Sequence, residues 1–408
     1  MHDVVITGLG ACSVLGHRLT TIEDALRGGR SGVFEDPQRR SLGFQSYLSG
    51  VIPPFDAAAL LSRRERKPMG EPAVYGAVAA LRALEHAGLE RGALDRPTYG
   101  VIVSNDSTCG AAVAVAEGVR DGGSTSGLGS GHVIRVMASS VATTLSTMLG
   151  TRGACWSVGA GCAGGTHAIG QAAQMVRDGQ QDMVLVVGAQ ETSWVTVASF
   201  DALGAFSRRE GAPEDASRPF DVERDGLVPS GGGACLVLES LDHAVARGAR
   251  QFARVLGYGY SSDGRHITSP SGDGAIRAMR MALTSGATTA GEVDYVNAHA
   301  ASTVVGDAHE ARSLAEVFGR DGGPAISSTK SLTGHEFWMA GVSEALYTVL
   351  MMDSGFVAAN RNLTEADPTA DGLDLVHQAR ETRLDRCLSN SFGLGGTNAS
   401  LLLGRADE

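Results

Sequence analysis

Apolar positions along this chain fall into two alternating rhythms. Short runs such as Met183-Val184-Leu185-Val186-Val187 have no polar member. They have the length and uniformity of strands covered on both faces. Between such runs, apolar residues return every three or four positions. Ile169, Ala172, Ala173 and Val176 stand at i, i+3, i+4 and i+7, and Gly179 ends the series, which predicts a helix. Read this way, a strand is expected from Val4 that runs into the glycines at 8 and 10, and further strands over 99–104, 154–158, 182–188 and 231–239. Helices are expected over 74–88, over 132–148 and from Cys162 onward. Gly118 to Gly131, rich in glycine and serine, reads as a loop or lid. Near residue 250 the series begins again: strand 252–259, helix 275–285, strand 293–297, a helix, strand 325–328, and a helix with Val342, Leu346, Val349 and Leu350 on one face. Strands 387–391 and 399–403 close it. Alternating helices and buried strands indicate the α/β class. The restart suggests two similar halves, 1–250 and 251–408.

Composition narrows the class. The chain has 408 residues, 43% hydrophobic and 19% charged, with a net charge of −11. These values suit a globular protein and argue against nucleic acid as a partner. No apolar run reaches membrane-spanning length, and Met1-His2-Asp3-Val4 opens into a strand rather than a secretion signal. A soluble, cytoplasmic protein with no membrane partner is expected. The six cysteines, at 12, 109, 155, 162, 235 and 387, form no Cys-x-x-Cys pair, so neither a zinc knuckle nor a disulfide framework is indicated.

Of 34 basic residues only Lys67 and Lys330 are lysines. A compact ammonium does what a planar guanidinium cannot, so each invites a specific role. Lys67 closes the densest basic cluster, Arg63-Arg64-Glu65-Arg66-Lys67. Such a run is usually a solvated face, and its alternative is a docking patch for an acidic partner. The early Gly8-x-Gly10-x-x-Ser13 is a partial dinucleotide motif and reads as a structural turn.

Three stretches carry candidate chemistry. Trp156 to His167 contains Gly159-Ala160-Gly161-Cys162-Ala163-Gly164-Gly165 and reads as strand, glycine elbow and helix. It places Cys162 at a helix N-terminus, where the dipole favours a thiolate and a lowered thiol pKa is expected. Val296-Asn297-Ala298-His299 sets His299 at a strand's carboxyl end, where open α/β sheets bind ligands. Asp307 and Glu310 share a face of the following helix. Ser328-Thr329-Lys330-Ser331-Leu332-Thr333-Gly334-His335 leads into another helix, and its N-terminus disfavours a charged His335. A neutral imidazole there can donate to an oxygen that becomes negative. A zinc site is the competing use of a Cys/His set, but no local ligand pair supports it. Gly393-Leu394-Gly395-Gly396 is a glycine loop between strands. Its amides could line an oxyanion hole, or it could be a plain hairpin.

These stretches together resemble the β-ketoacyl-acyl-carrier-protein synthases, the elongating ketosynthases of the thiolase superfamily. The likeness runs nearly end to end and includes Ala216-Ser217-Arg218-Pro219-Phe220-Asp221 and Arg224-Asp225-Gly226. It implies a thiolase-like five-layer αβαβα sandwich of two similar halves, and a dimer. It implies that Cys162 accepts an acyl chain from carrier-bound phosphopantetheine. His299 and His335 would then hold the thioester oxygen of a malonyl unit during decarboxylation. By the same resemblance, Cys162 and Phe392 supply oxyanion-hole amides and Phe392 acts as a gate. Lys330 pairs with Glu344 in a network with Asp307 and Glu310, and Thr303 contacts pantetheine. Arg63, Arg64, Lys67 and Arg209 dock the acyl carrier protein. No cofactor of its own and no metal are implied.

Some positions depart from the family pattern. Ala300-Ala301 stands where Gly-Thr is usual, Gly161 where alanine is common, and Glu336-Phe337-Trp338-Met339 where small or aliphatic residues follow the second histidine. These departures, with the arginine-rich usage, favour a specialised type II polyketide or polyene synthase. It would act as a homodimer or beside a homologous chain-length subunit. The alternatives are a housekeeping fatty-acid synthase, a non-catalytic chain-length-type partner, and a thiolase.

Overall fold

The structure is a computed structural model that describes residues 1–267 and 271–406. In the first half, strand β1 (Val4–Cys12) leads to helix α1 (Glu71–His86), then strand β2 (Tyr99–Ser104), helix α2 (Ser140–Leu149) and strand β3 (Cys155–Val158). Helix α3 (Gly164–Arg177), strand β4 (Met183–Gln190) and strand β5 (Gly232–Ser240) follow. The second half runs β6 (Ala253–Ser262), α4 (Asp273–Ser285), β7 (Tyr295–Asn297), α5 (Val304–Phe318), β8 (Ala325–Ser327), α6 (Ala340–Ser354), β9 (Asp374–Leu375), β10 (Arg386–Gly393) and β11 (Thr397–Arg405).

The strand order is β9-β8-β7-β10-β11-β6-β1-β5-β4-β2-β3. The first half therefore reads β3-β2-β4-β5-β1, with β2 parallel to β3 and β4, and β5 antiparallel to both its neighbours. The second half repeats this as β8-β7-β10-β11-β6, with the same directions. Short β9 is added at the outer edge, parallel to β8. The halves meet between β1 and β6, where only Val5↔Arg254 and Ile6↔Ala253 pair.

Helices α1 and α2 cover the outer face of the first half, and α4 with α5 that of the second. Helices α3 and α6 lie between the halves and touch strands of both. This is the expected αβαβα layering. Strands β4 and β5 are buried along their whole length, as the apolar runs Met183–Val187 and Cys235–Leu238 require, while the buried Glu239 of β5 is paired with Arg247. Helix α6 is buried on every side except at its end: Ala340 through Met352 are all buried. Its residues give little helical amphipathicity to read, because it has no solvent face.

Several local expectations change. Gly8 and Gly10 lie inside β1 rather than in a turn. A Cβ at Gly10 would sit 2.2 Å from the Ala79 carbonyl oxygen; the missing side chains let α1 press against the strand. Gly118 to Gly122 end a helix, Cys109–Gly122, so the loop is shorter than read. The helix expected over 132–148 is two pieces, His132–Arg135 and Ser140–Leu149. Among the described residues no helix is long and apolar enough to cross a membrane.

Candidate active site

The two central helices bring distant residues together. Cys162 follows the third strand of the first half and sits in a short 3-10 turn, Gly161–Ala163, that opens α3. His335 follows the third strand of the second half and precedes α6. The two residues hold equivalent places in the repeated topology. The helices meet at glycines: a Cβ on Gly165 would lie 2.7 Å from Val342 N, and one on Gly341 would lie 2.4 Å from Thr166 N. Backbone packs on backbone there, so both helix starts converge.

The result is a Cys/His/His cluster. Ligand atoms of Cys162, His299 and His335 all lie within 4.8 Å of one another. His335 Nε2 is 3.2 Å from Cys162 Sγ, and the two imidazoles stand nearly perpendicular with centroids 5.2 Å apart. His335 Nδ1 accepts from the Phe337 N–H at 3.2 Å. That leaves the proton on Nε2, pointing at the sulfur. Burial pushes both imidazoles well below the usual histidine range, and Lys330 adds to it. The neutral state expected for His335 is thus present, but burial and a buried ammonium are its main causes.

The thiol differs from expectation. Burial pushes Cys162 up to about 11, against the opposing pull of Lys330 and the amides of Leu394 and Cys162. A helix start lowers a thiol pKa only where the thiolate keeps comparable solvation elsewhere, and Cys162 is 7% exposed. The second amide at the sulfur is that of Leu394, two residues beyond the Phe392 expected for the hole. The Phe392 ring lies 6.1 Å from that of His299. Gly395 and Gly396, at φ 85° and 74°, make the tight turn that carries Leu394 over the sulfur.

The support network also departs from expectation. Lys330 is buried and pairs with Glu344, as expected. Asp307 and Glu310 do not bond to it; they brace the His299 loop instead. Glu310 accepts from the His299 and Ala300 N–H groups at 2.9 and 2.6 Å. Asp307 accepts from Ala301, Ser302 and Thr303 at 3.1, 3.2 and 3.0 Å. Asp307 also takes the Phe220 N–H at 3.0 Å, and its nearest cation is Arg224, at 4.0 Å. The 216–226 segment is thereby clamped to the same loop, with Arg218 N donating to Ser302 Oγ at 3.0 Å. Burial raises Asp307 to about 6 and Glu310 to about 7 despite these amides.

A cavity of about 250 Å³ opens onto the cluster. Cys162, His299, His335 and Phe392 line it together with Ala301 and Thr303, and exposed Ile267 and Leu394 border it. Phe337 stacks on His335 at 5.1 Å and packs with Trp338, Phe200 and Phe206 in one apolar cluster. Phe337 thus lines the cavity, and Trp338 packs against that ring without lining the cavity. Arg63, Arg64 and Lys67 are exposed around a short helix, Arg63–Arg66, closed by a Ser62/Glu65 capping box. Arg209 differs from them: it donates to Glu223 O at 2.7 Å and to the Glu223 carboxylate at 3.3 Å.

The donor set also fits poorly around a metal. A metal on His335 Nε2 requires a proton on Nδ1, and Nδ1 already faces an amide donor.

Known proteins share this architecture. The family model for the beta-ketoacyl synthase N-terminal domain matches residues 1–244, and that for the C-terminal domain matches 252–364. The chain is 38% identical to 3-oxoacyl-[acyl-carrier-protein] synthase 1 of Haemophilus influenzae over 408 residues, covering 99% of each. A beta-ketoacyl synthase from Burkholderia phymatum superposes with a TM-score of 0.95 at 36% identity, over 100% of both chains. The ishigamide ketosynthase/chain length factor superposes with a TM-score of 0.92 at 30% identity, over 99% of both.

Proposed function

The chain belongs to the beta-ketoacyl synthase family, and from that premise we propose that Cys162, His299 and His335 carry out its decarboxylative condensation. The observation that supports the reading is the convergence of the three groups within 4.8 Å. Residues 1–250 supply the nucleophile and 251–408 both histidines. The substrates are thioesters on the phosphopantetheine of an acyl carrier protein. No cofactor of the enzyme's own enters the chemistry.

In the first half-reaction the Cys162 sulfur attacks the carrier thioester, the bond from the acyl carbon to the pantetheine sulfur breaks, and pantetheine leaves as the thiol, carrying the cysteine's proton. Because His335 Nδ1 accepts from an amide, its Nε2–H is a donor and cannot remove that proton. It stabilises the sulfur's negative charge instead, with the Leu394 and Cys162 amides. In the second half-reaction a malonyl thioester lies with its oxygen between the imidazoles. The bond to the carboxylate breaks, carbon dioxide leaves, and the electron pair becomes an enolate. His299 Nδ1 is buried without a hydrogen-bond partner. A bare acceptor costs less there than an orphaned N–H, so both rings present Nε2–H to the enolate oxygen. Fixed donors aimed at developing charge are the largest single aid to such a step. The α-carbon then attacks the acyl-cysteine carbonyl, the C–S bond breaks, and the thiolate takes up a proton.

For the pathway we weigh elongation of fatty acyl chains first, because the relative named as a 3-oxoacyl synthase is 38% identical and the ketosynthase/chain length factor 30%. The specialised polyketide reading keeps one observation in its favour, the Phe337 ring that stacks on His335 and lines the cavity. A thiolase would need a second cysteine at the site, but Cys387 is buried within β10. A non-catalytic subunit would not need the nucleophile and both histidines brought together. A dimer fits the open edge at β3, where Trp156 is exposed.

The test is incubation with acyl- and malonyl-carrier protein. Expected are release of carbon dioxide, an acyl adduct on Cys162 by mass spectrometry, and a β-ketoacyl product two carbons longer. Elongation without an adduct on Cys162 would overturn the assignment.

A further inference from the structure

Glu336 is a buried carboxyl that the chemistry above leaves unused. It is 1% exposed and directly follows His335. Its Oε2 is hydrogen-bonded to Ser343 Oγ, and its Oε1 accepts from Tyr347 OH at 3.2 Å; both partners lie on α6. Tyr347 OH in turn meets Ser13 Oγ at 2.7 Å, at the end of β1. Ser343 Oγ also reaches the Ala340 carbonyl at 3.0 Å.

Ser343 donates to Oε2 and Tyr347 to Oε1, and Tyr347 in turn accepts from Ser13, so one carboxyl joins two positions of α6 to the end of β1. Burial, reinforced by the nearby Glu344 carboxylate, pushes the Glu336 carboxyl up to about 8, against Ser343, Tyr347 and Lys330.

The next residue is under constraint. Phe337 has φ 48°, in the left-handed region, which bulky side chains avoid. From that conformation its N–H reaches His335 Nδ1.

We propose that Glu336 is a positioning residue for His335: it ties the 335–337 turn to α6 and so holds Phe337 where its N–H fixes the Nε2–H tautomer. Strain of this kind persists only where the surroundings over-determine it, and the Ser343–Glu336–Tyr347–Ser13 chain is the clamp. Released, Phe337 relaxes to negative φ, the amide leaves Nδ1, and the proton divides between the ring nitrogens. The role rests on His335 acting at the substrate oxygen, as read above.

The test compares Glu336→Gln with Glu336→Leu in the full-length protein carrying ¹⁵N-labelled histidine. The Gln side chain can donate to Ser343 and accept from Tyr347, so wild-type His335 ring-nitrogen shifts and malonyl-carrier decarboxylation are expected. Glu336→Leu should move the ring-nitrogen shifts toward the other tautomer and lower decarboxylation kcat ten- to hundredfold with little change in KM. Wild-type shifts in the Leu variant, or a Gln variant as impaired as Leu, would overturn the proposal. Tyr347→Phe removes one hydroxyl and serves if Leu does not fold. It should shift the same signals part-way, and unchanged signals would refute the clamp. The nitrogen shifts need no turnover, so they judge Glu336 separately from the reaction. Loss of decarboxylation in His335→Ala judges the reaction.

Discussion

His335 Nε2 stands 3.2 Å from Cys162 Sγ across 173 residues of chain. The two groups precede the two central helices, which are equivalent in the repeated topology. Glycines 165 and 341 let those helices touch backbone to backbone. The site is therefore a property of the pseudo-symmetric join between the halves, and either half alone holds only part of it.

Because the sulfur accepts the acyl chain while the imidazoles serve the malonyl oxygen, the two half-reactions can be separated. Cys162→Gln is expected to abolish elongation and to leave or raise carbon dioxide release from malonyl-carrier protein. Product analysis with parallel carbon dioxide measurement checks this. A Gln variant that still elongates removes the nucleophile's role.

His299→Ala and His335→Ala should each lower decarboxylation by about 10²–10³-fold, the usual loss of one oxyanion donor. Acylation of Cys162 should suffer less in His299→Ala. Single-turnover acylation and carbon dioxide release, measured separately, check the difference.

Lys330 lowers the Cys162 thiol and both imidazoles at once, while its ammonium is ion-paired with Glu344. Lys330→Met should raise the thiol pKa, and the pH dependence of iodoacetamide labelling at Cys162 should move to higher pH. The same change leaves a buried Glu344 unpaired, at a cost of about 3–5 kcal/mol. Lys330→Met with Glu344→Leu should recover much of the stability but not the labelling profile. Thermal melts beside labelling rates distinguish the two effects.

Much of this was legible in the residues. Uniform apolar runs marked β4 and β5, and the elbow around Cys162 marked its helix. What escaped reading was tertiary. The rise of the Cys162 pKa needs its burial, which no helix-start pattern reveals. Asp307 and Glu310 share a helix face, as their spacing said, but only the folded loop shows them gathering five amides between His299 and Thr303. Gly165 and Gly341 were readable as small residues, not as a helix contact. Leu394 was hidden because a hairpin turn decides which amide faces the sulfur.

Asp221 gives the site's frame a pH dependence. Its carboxylate takes the Thr364, Glu365 and Glu223 N–H groups at 2.7, 3.2 and 2.9 Å and Arg218 Nε at 2.9 Å. Although burial alone would raise it, these donors hold its carboxyl down at about 2. A depressed carboxyl contributes stability above its ordinary value near 3.8, and that contribution is lost as pH falls toward about 2. Asp221→Asn should cost on the order of 1–3 kcal/mol at pH 7. The gap to wild type should close on acidification through pH 4 to 2, as chemical denaturation at stepped pH would show. A gap that stays constant with pH points to lost packing rather than lost charge.

Carrier docking tests the basic helix against Arg209. Arg63, Arg64 and Lys67 are exposed, whereas Arg209 already serves Glu223. A surface patch of free cations in a chain of net charge −11 steers an acidic carrier mainly through encounter rate, and salt screens it. Charge reversal at Arg63 and Lys67 should therefore raise KM for carrier-bound substrate by roughly tenfold at low salt, with kcat kept. The effect should shrink as ionic strength rises, and a small pantetheine thioester should react as before. Arg209→Glu should instead lower the melting temperature by loosening the 209–225 loop. It should impair both substrates alike, because the residue is a strut of the fold. If reversal at Arg63 and Lys67 slows the small thioester as much as the carrier-bound one, the patch is not a docking surface. The carrier must then approach by another face.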